Sequence, residues 1–164
     1  MRIFKEEQRF IQSWLIILIV VSMITPTVII LKQSESMSSL QIISFISIVI
    51  LSSSLIFIFK LTTRIDEVGI HYKFFPFHFK MKIIKWTEIN NAYVRTYDPI
   101  GEYGGWGLKG GYFWKKNKGT AINVSGDIGI QLELKNGKKI LIGTKKENDS
   151  KSVIRTYETK FKDN

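Results

Sequence analysis

The sequences FIQSWLIILIVVSMITPTVIIL, residues 10–31, and LQIISFISIVILSSSLIFIF, residues 40–59, decide the fold. Neither stretch contains a charged side chain. With 22 and 20 residues, each is long enough to cross roughly 30 Å of hydrocarbon as an α-helix. Only residues 32–39 separate them, so the sequence predicts a transmembrane helical hairpin within residues 1–60. The first stretch is longer than the apolar part of a signal peptide, and no small-residue cleavage site follows it, so we expect it to be retained.

Serines mark one face of the second apolar stretch. Ser44, Ser47 and Ser54 fall within about 80° of one another when successive residues turn by about 100°. Small polar side chains permit close approach of a neighbouring helix, and we expect this face to contact the first span or a second copy of the chain. Because neither span contains an ionisable residue, the sequence does not favour a transport path.

The distribution of basic residues predicts the orientation of the hairpin. Basic residues flank both outer ends of the two spans, whereas the connecting loop contains only Lys32. Loops rich in Lys and Arg remain in the cytoplasm, so we expect both termini to lie there and the protein to reside in the cytoplasmic (inner) membrane. The flanking basic residues are Arg2, Lys5, Arg9, Lys60, Arg64 and Lys73.

Residues 61–164 have the length and composition of one small, basic domain. They contain 19 Lys and Arg against 11 Asp and Glu, a balance of +8 within a total of +10. Such a domain beside a bilayer would be attracted to anionic headgroups. The chain has no cysteine, which excludes disulfides, thiolate nucleophiles and cysteine-ligated metals.

The apolar pattern of this domain predicts short strands followed by one helix. Residues 73–82 alternate Phe75, Phe77, Phe79 and Met81 with other side chains, which predicts a strand with one buried face, and Pro76 favours a sheet edge. The other predicted strands are residues 64–72, with a hairpin corner at Gly69, then 83–89, 92–97, 119–125, 129–134 and 138–143.

Two further signals complete the predicted domain. Asn136-Gly137 predicts a type I′ hairpin between the last two strands. Val153, Ile154, Tyr157 and Phe161 recur at helical spacing, so we expect residues 144–161 to form one amphipathic helix. The predicted fold class is therefore a membrane-anchored α+β protein, with two transmembrane helices followed by a small β barrel or sandwich and a C-terminal helix.

Several short segments of this domain together carry a family resemblance. They are Ile84-Lys85-Trp86-Thr87-Glu88-Ile89, Glu102-Tyr103-Gly104-Gly105-Trp106-Gly107-Leu108, Asn123-Val124-Ser125-Gly126, and Gly129-Ile130-Gln131-Leu132 with Ile142-Gly143-Thr144. The pattern resembles bacterial pleckstrin-homology-like domains fused to a short transmembrane hairpin, over about residues 61–161. The resemblance implies a partly open barrel and no catalytic activity. It also implies likeness in fold to lipid and peptide binders, although fold does not dictate function.

The segment GEYGGWGLKGGYFWKKNKG, residues 101–119, is the candidate contact surface. Its seven glycines lack the spacing of a phosphate-binding loop. In one interpretation the glycines form tight turns while Trp106 packs on the barrel rim. In the other, aromatic and lysine side chains meet lipid headgroups or a partner, because such side chains favour the membrane interface. The candidate contact residues are Trp106, Lys109, Tyr112, Phe113, Trp114, Lys115, Lys116 and Lys118.

No residue pattern in the sequence favours an enzyme. His71 and His78 lack the spacing of a metal site, and the carboxylates form no acid–base pair. We expect no cofactor, no metal and no nucleic-acid partner. The predicted function is a non-enzymatic, membrane-anchored binding or scaffolding module that faces the cytoplasm and contacts anionic headgroups. The alternative is a protein-interaction subunit of a membrane complex, which binds a peptide or partner protein through the sheet edge near Pro76 or through residues 101–119.

Overall fold

The computed structural model of the 164-residue chain describes residues 2–32, 37–110 and 119–162. The chain divides into two compact units. One unit is Phe10–Phe59, and the other combines Met1–Arg9 with Lys60–Asn164. The observed class is α+β: two long apolar helices, then two β-sheets and a C-terminal helix. This general fold class confirms the prediction from the sequence.

The first unit is a pair of apolar helices. Helix α1 is Ser13–Lys32 and helix α2 is Ser39–Ser54, continued by a 3-10 turn over Leu55–Ile58. Ser38 caps α2: its hydroxyl accepts from the backbone N–H of Gln41, whose side chain accepts from the Ser38 N–H in return. Both helical segments are long and apolar enough to cross a membrane.

The seam between the helices is aliphatic. Leu15 and Ile19 of α1 are buried, and the partly covered residues of α2 recur at helical spacing. By contrast Ser44, Ser47 and Ser54 are exposed. The serine face therefore does not pack against α1, which was one of its two expected contacts. Contact of that face with a second copy stays a prediction. The partly covered residues of α2 are Ile42, Ile46, Val49 and Ser53, and Ile56 continues this row in the 3-10 turn.

The first sheet of the β unit includes the N-terminus of the chain. Its strands are β1 (Phe4–Arg9), β2 (Lys60–Ile65), β3 (Gly69–Phe75) and β4 (Lys82–Lys85), in that order and all antiparallel. The helical pair is therefore inserted between two neighbouring strands. This differs from the expected division at residue 60, because residues 1–9 belong with the β domain.

The predicted strand at residues 73–82 is wrong. Strand β3 ends at Phe75, since Pro76 has no N–H with which to continue the ladder. β3 is also an interior strand, between β2 and β4, rather than a sheet edge. Beyond it Phe77 and Phe79 are exposed instead of lining a buried face.

The second sheet contains β5 (Ile89–Thr96), β6 (Gly107–Lys109), β7 (Thr120–Asn123), β8 (Ile128–Leu134) and β9 (Lys139–Gly143), in the spatial order β5-β8-β9-β7-β6. A 3-10 turn, Trp86–Glu88, leads into it, and the short helix α3 (Pro99–Tyr103) follows β5. All its strand pairs are antiparallel except β7 with β9, which are parallel.

The hairpin predicted at Asn136-Gly137 is present, with a different turn. The N–H of Gly137 donates to Leu134 O at 2.9 Å, and the N–H of Leu134 donates to Lys138 O at 2.9 Å. These bonds define a three-residue loop that Gly137 closes at φ +80°, rather than a two-residue type I′ turn.

The C-terminal segment forms two short helices, α4 (Glu147–Thr156) and α5 (Thr159–Lys162). Its predicted apolar face is confirmed: Val153, Ile154, Tyr157 and Phe161 are all buried. Tyr157 and Phe161 stack on Trp86, with ring centroids 5.3 and 5.7 Å away. The indole N–H of Trp86 in turn donates to Asp66 O at 2.9 Å, which joins this contact to the β2–β3 turn.

Candidate functional site

Three strand ends meet where the chain leaves the β unit. Arg9, the last residue of β1, is in register with Lys60, the first residue of β2, and Lys60 is in register with Phe75 at the end of β3. Neighbouring strands lie about 5 Å apart, so these three residues form one short row. Arg9 is followed by residue 10 and Lys60 is preceded by residue 59, which are the two ends of the helical unit. This row is therefore the end of the sheet that is covalently joined to the helices.

Basic side chains dominate this row. Lys60 Nζ lies 2.8 Å from Glu7 Oε1, and this hydrogen-bonded ion pair holds the pKa of the Glu7 carboxyl below its ordinary value. Arg9 carries a further positive charge at the end of β1. The ion pair lies at the surface, so its contribution to stability is small. Glu7 offsets the charge of Lys60, and Arg9 supplies the net positive charge of this end of the sheet.

The aromatic loop, residues 76–81, begins at this row. Two of its rings are strongly exposed: Phe77 at 59% and Phe79 at 75%. Met81 is exposed at 38%. Large apolar side chains exposed together, rather than singly, mark contact surfaces on soluble domains. The loop is therefore the leading candidate for a functional surface among the described residues.

The exposed rings are held in place by the strand beneath them. Phe77 stacks on the buried Phe74, with centroids 5.9 Å apart and planes 8° from parallel. Phe79 meets Phe75 edge-on at 5.8 Å. Such aromatic pairs contribute about 0.5–1.5 kcal/mol beyond their area burial. The loop thus presents its outer apolar surface from a fixed base.

His78 ties the loop to β3. Its backbone N–H donates to Phe74 O at 2.8 Å, and its Nδ1 accepts from the Phe74 N–H at 3.3 Å. The imidazole also packs edge-on against Tyr72, 5.6 Å between centroids. Burial, together with the positive charge of Lys82, lowers the pKa of His78 below its ordinary value. The imidazole is therefore neutral near pH 7, as an acceptor at Nδ1 requires.

Lysines surround the aromatic rings. Lys80 and Lys82 are exposed on either side of Met81, and Lys73 Nζ lies 5.9 Å from the centroid of Phe75. Residues 69–87 contain no Asp or Glu to offset them. The result is an apolar tip with a cationic border, which is the side-chain chemistry of a membrane interface.

The segment predicted as the contact surface is described only in part. Trp106 is half-buried, and its indole N–H donates to Gly126 O at 2.9 Å. Lys109 lies at the end of β6, in register with Ala121. These contacts give Trp106 and Lys109 places at the edge of the second sheet. The other predicted contact residues, Tyr112, Phe113, Trp114, Lys115, Lys116 and Lys118, lie outside the described residues.

A buried carboxylate that the sequence did not single out organises the far end of the first sheet. Asp66 Oδ1 accepts from the N–H of Val68 at 3.0 Å and of Gly69 at 3.4 Å, and lies 3.0 Å from His71 Nε2. Burial raises the pKa of Asp66, but the hydrogen bonds from His71 and the backbone outweigh it and hold the pKa below its ordinary value. His71 thus stabilises a turn. Within the described ranges, no group of three His, Asp or Glu side chains could hold a metal ion.

A second polar cluster lies on the five-stranded sheet, in a cleft of about 190 Å³. Arg95 makes two hydrogen bonds to the Glu102 carboxylate, at 3.0 and 2.7 Å, and one to Gln131 at 3.1 Å. Because Glu102 neutralises the guanidinium, this cleft is poorly suited to bind an anion. Its contacts instead hold α3 against β5 and β8.

The signal for the aromatic loop was present in the sequence. This stretch combines aromatic and lysine side chains, as residues 101–119 do. The side chains are Phe77, Phe79, Lys80, Met81 and Lys82. The period-two spacing of these residues instead predicts a strand with one buried face, because spacing alone does not show that the strand ends before Pro76. Comparison of the chain with protein-family models, with curated proteins and with solved structures finds no match.

Proposed function

We propose that this chain is a non-enzymatic, membrane-anchored binding module whose β domain lies at the cytoplasmic face of the inner membrane and contacts anionic headgroups. The observation that carries the proposal is the insertion of two apolar, membrane-length helices between the paired strands β1 and β2. The chain leaves the domain at Arg9 and returns to it at Lys60.

This insertion supports a single arrangement of the termini. β1 and β2 pair along their whole length, from Phe4 with Ile65 to Arg9 with Lys60. Two strands that share a hydrogen-bonded ladder must fold in the same compartment. If both helices cross the bilayer, the N-terminus and residues 60–164 therefore lie on the same side of it.

The choice of side rests on charge. Between the apolar part of α1 and the start of α2 the chain has one basic residue, Lys32 at the end of α1, whereas the strands that flank the helices carry Lys5, Arg9, Lys60 and Arg64. Positively charged segments near membrane spans are retained in the cytoplasm. The cytoplasmic leaflet is also the one rich in anionic lipid, which suits a domain of net positive charge.

Tethering explains how such a module would work without a deep site. A domain fixed to the bilayer meets headgroups and neighbouring membrane proteins at an effective concentration of the order of millimolar. Weak contacts by exposed lysines are then occupied. The resemblance to pleckstrin-homology-like domains is compatible with this role and stays part of the proposal.

A second candidate function is a protein-interaction subunit of a membrane complex. β4 and β6 are edge strands of their sheets, so each offers backbone hydrogen-bonding groups to an incoming strand. On β4 the side chains of Lys82, Ile83 and Lys85 are exposed. Crosslinking of the full chain in native membranes would capture a partner if this function holds.

Cysteine accessibility tests the anchoring and its orientation, because the chain has no native cysteine. Lys5→Cys, Met37→Cys and Lys138→Cys place single thiols in β1, between the helices, and at the β8–β9 turn. In intact cells an impermeant maleimide should label only Met37→Cys, and the other two should react after permeabilisation. Labelling of Lys5→Cys and Lys138→Cys from opposite sides, or the failure of Met37→Cys to react from outside, would contradict the proposal.

The whole chain is the right material for this test. A fragment that begins at residue 61 would lack β1, which supplies an entire strand of the first sheet. Loss of binding by such a fragment would then report misfolding rather than the absence of a membrane contact.

A further inference from the structure

We infer that the aromatic loop is a membrane-insertion element: Phe77, Phe79 and Met81 enter the interfacial layer of the bilayer while Lys80 and Lys82 contact anionic headgroups. The inference rests on the proposed function, because it requires that the helices span a membrane. It goes beyond that function by naming the surface of the domain that meets the lipid.

The aromatic loop begins at the end of the sheet that is covalently joined to the helices. Phe75 is in register with Lys60, and Lys60 is two residues beyond Ile58, where the second apolar helical segment ends. Residue 77 is two positions past Phe75, so a few residues at about 3.3 Å each separate its ring from the chain that enters the bilayer. A loop joined to a membrane span through so short a length of chain and strand pairing is within reach of the headgroups.

Two rings of the aromatic loop are exposed to water. Phe79 at 75% and Phe77 at 59% expose apolar surface to water although Phe74 and Phe75 beneath them are well covered. Contact of apolar surface with water is unfavourable in proportion to the exposed area. Insertion into the interfacial layer removes this apolar surface from water and so favours the docked state over the undocked one.

A matched residue elsewhere in the sheet shows that position matters. Val68 is also apolar and exposed, at 52%, but it lies in the β2–β3 turn at the opposite end of the same strands. Acidic residues Asp66 and Glu67 precede it, and basic side chains at this end are engaged within the domain: Arg64 pairs with Asp66, and Lys160 donates to Glu67 O. The sheet thus has one end with the chemistry of a membrane contact and one without it.

The charges identify the lipid. Lys80 and Lys82 border the rings, and residues 69–87 contain no carboxylate. Each lysine near an anionic surface favours the docked state by about fivefold. A neutral bilayer offers the apolar part of this interaction alone, so docking should be stronger on a bilayer that contains phosphatidylglycerol.

Spin-label accessibility in nanodiscs tests the inference on the full chain. Phe79→Cys and Met81→Cys carry the label in the loop, Val68→Cys carries it at the other end of the sheet, and Val21→Cys carries it on α1. Each variant is reconstituted in phosphatidylcholine with and without phosphatidylglycerol. The two loop labels and the Val21 label should then be more accessible to oxygen than to a water-soluble nickel chelate, and the Val68 label should show the reverse.

A second set of variants tests the lysines. Lys80→Ala with Lys82→Ala should lower the docked-to-undocked ratio of the loop labels about 25-fold on the anionic discs, at about fivefold per lysine. The same pair should have little effect on neutral discs. Because both side chains are exposed, the folded state should be retained, and unchanged circular dichroism would verify it.

The outcomes separate the two proposals. Loop labels as open to nickel as the Val68 label, with the Val21 label shielded, would overturn the insertion of the loop and leave the membrane anchor intact. A Val21 label open to nickel would overturn the anchor itself, and this inference with it. Loop labels shielded from both reagents, whatever the lipid charge, would indicate a protein contact and also overturn the inference.

Discussion

The hydroxyl of Thr144 donates a 2.6 Å hydrogen bond to the carboxylate of Glu6, 138 residues away in the sequence. The second oxygen of Glu6 accepts from the backbone N–H of Lys145 at 2.8 Å, and Gln8 donates to Gly143 O at 2.9 Å. Through these bonds β1 joins the two sheets to each other. The N-terminal strand is a structural part of the β domain as well as the lead into the first helix.

Replacing Glu6 should therefore destabilise the domain. Glu6→Ala leaves the buried Thr144 hydroxyl and the Lys145 N–H without an acceptor, and we expect the free energy of unfolding to fall by about 1–3 kcal/mol. Denaturant titration of the full chain in detergent, followed by tryptophan fluorescence, measures the change. Lys5→Ala, at an exposed position of the same strand, is the matched control and should be neutral. Equal midpoints for the two variants would refute the role given to β1.

Gly119 should be far less tolerant of a side chain than Gly126. Both have positive φ, +79° and +74°, so alanine at either costs about 1–2 kcal/mol in backbone conformation. A Cβ at Gly119 would in addition overlap the carbonyl oxygen of Lys139, whereas a Cβ at Gly126 meets nothing within 4 Å. Gly119→Ala should lower the unfolding midpoint well beyond Gly126→Ala. Similar midpoints for the two would show that residue 119 does not lie against β9 as described.

His78 should titrate below its ordinary pKa of 6.5, because burial and Lys82 both disfavour the imidazolium. The depressed folded-state pKa means that the stability His78 contributes is present above about pH 6.5 and is lost as the pH falls through the lower value. Protonation also removes the acceptor for the Phe74 N–H. NMR titration of the histidine ring protons measures the midpoint, with His78→Gln to assign the signal. A midpoint at or above 6.5 would contradict the burial of the imidazole.

Tyr97 should resist ionisation. Burial raises the pKa of its phenol from 10.0 to about 12, even though the Asn123 amide, which donates to its oxygen at 2.7 Å, favours the phenolate. The raised folded-state pKa means that this contribution to stability is complete below about pH 10 and is lost as the pH rises toward 12. Ultraviolet titration of the wild type against Tyr97→Phe isolates this phenol. A component that ionises near pH 10 would show that Tyr97 is open to water.

The elements that the sequence predicts best are those whose local residue pattern is compatible with a single type of structure. The apolar helices follow from uninterrupted hydrophobic runs, the β8–β9 hairpin from Asn136-Gly137, and the buried face of the C-terminal helices from residues at helical spacing. β1 was missed because two of its three inward side chains, Glu6 and Gln8, are polar. Their hydrogen bonds to residues 143–145 permit their burial, and no local pattern indicates such distant partners.

The candidate site, too, was predicted from the sequence only in part. The sequence supplied the chemistry, aromatic and lysine side chains in one short stretch, but period-two spacing around Pro76 predicted a buried face. Tertiary structure exposes these rings, because β3 stops at Phe75 and β4 does not begin until Lys82. Residues 112–118, which the sequence favoured on the same chemical ground, stay a prediction.

By itself, the sequence determined that this chain carries two membrane-length apolar helices and a basic β domain closed by a helix, because hydrophobic periodicity and charge are local properties. Only the tertiary structure decided that the helices interrupt a sheet, with Arg9 beside Lys60, and that the exposed rings of Phe77 and Phe79 follow Phe75, which is in register with Lys60. Strand pairing joins residues about fifty positions apart, and its register depends on side chains contributed by both sheets.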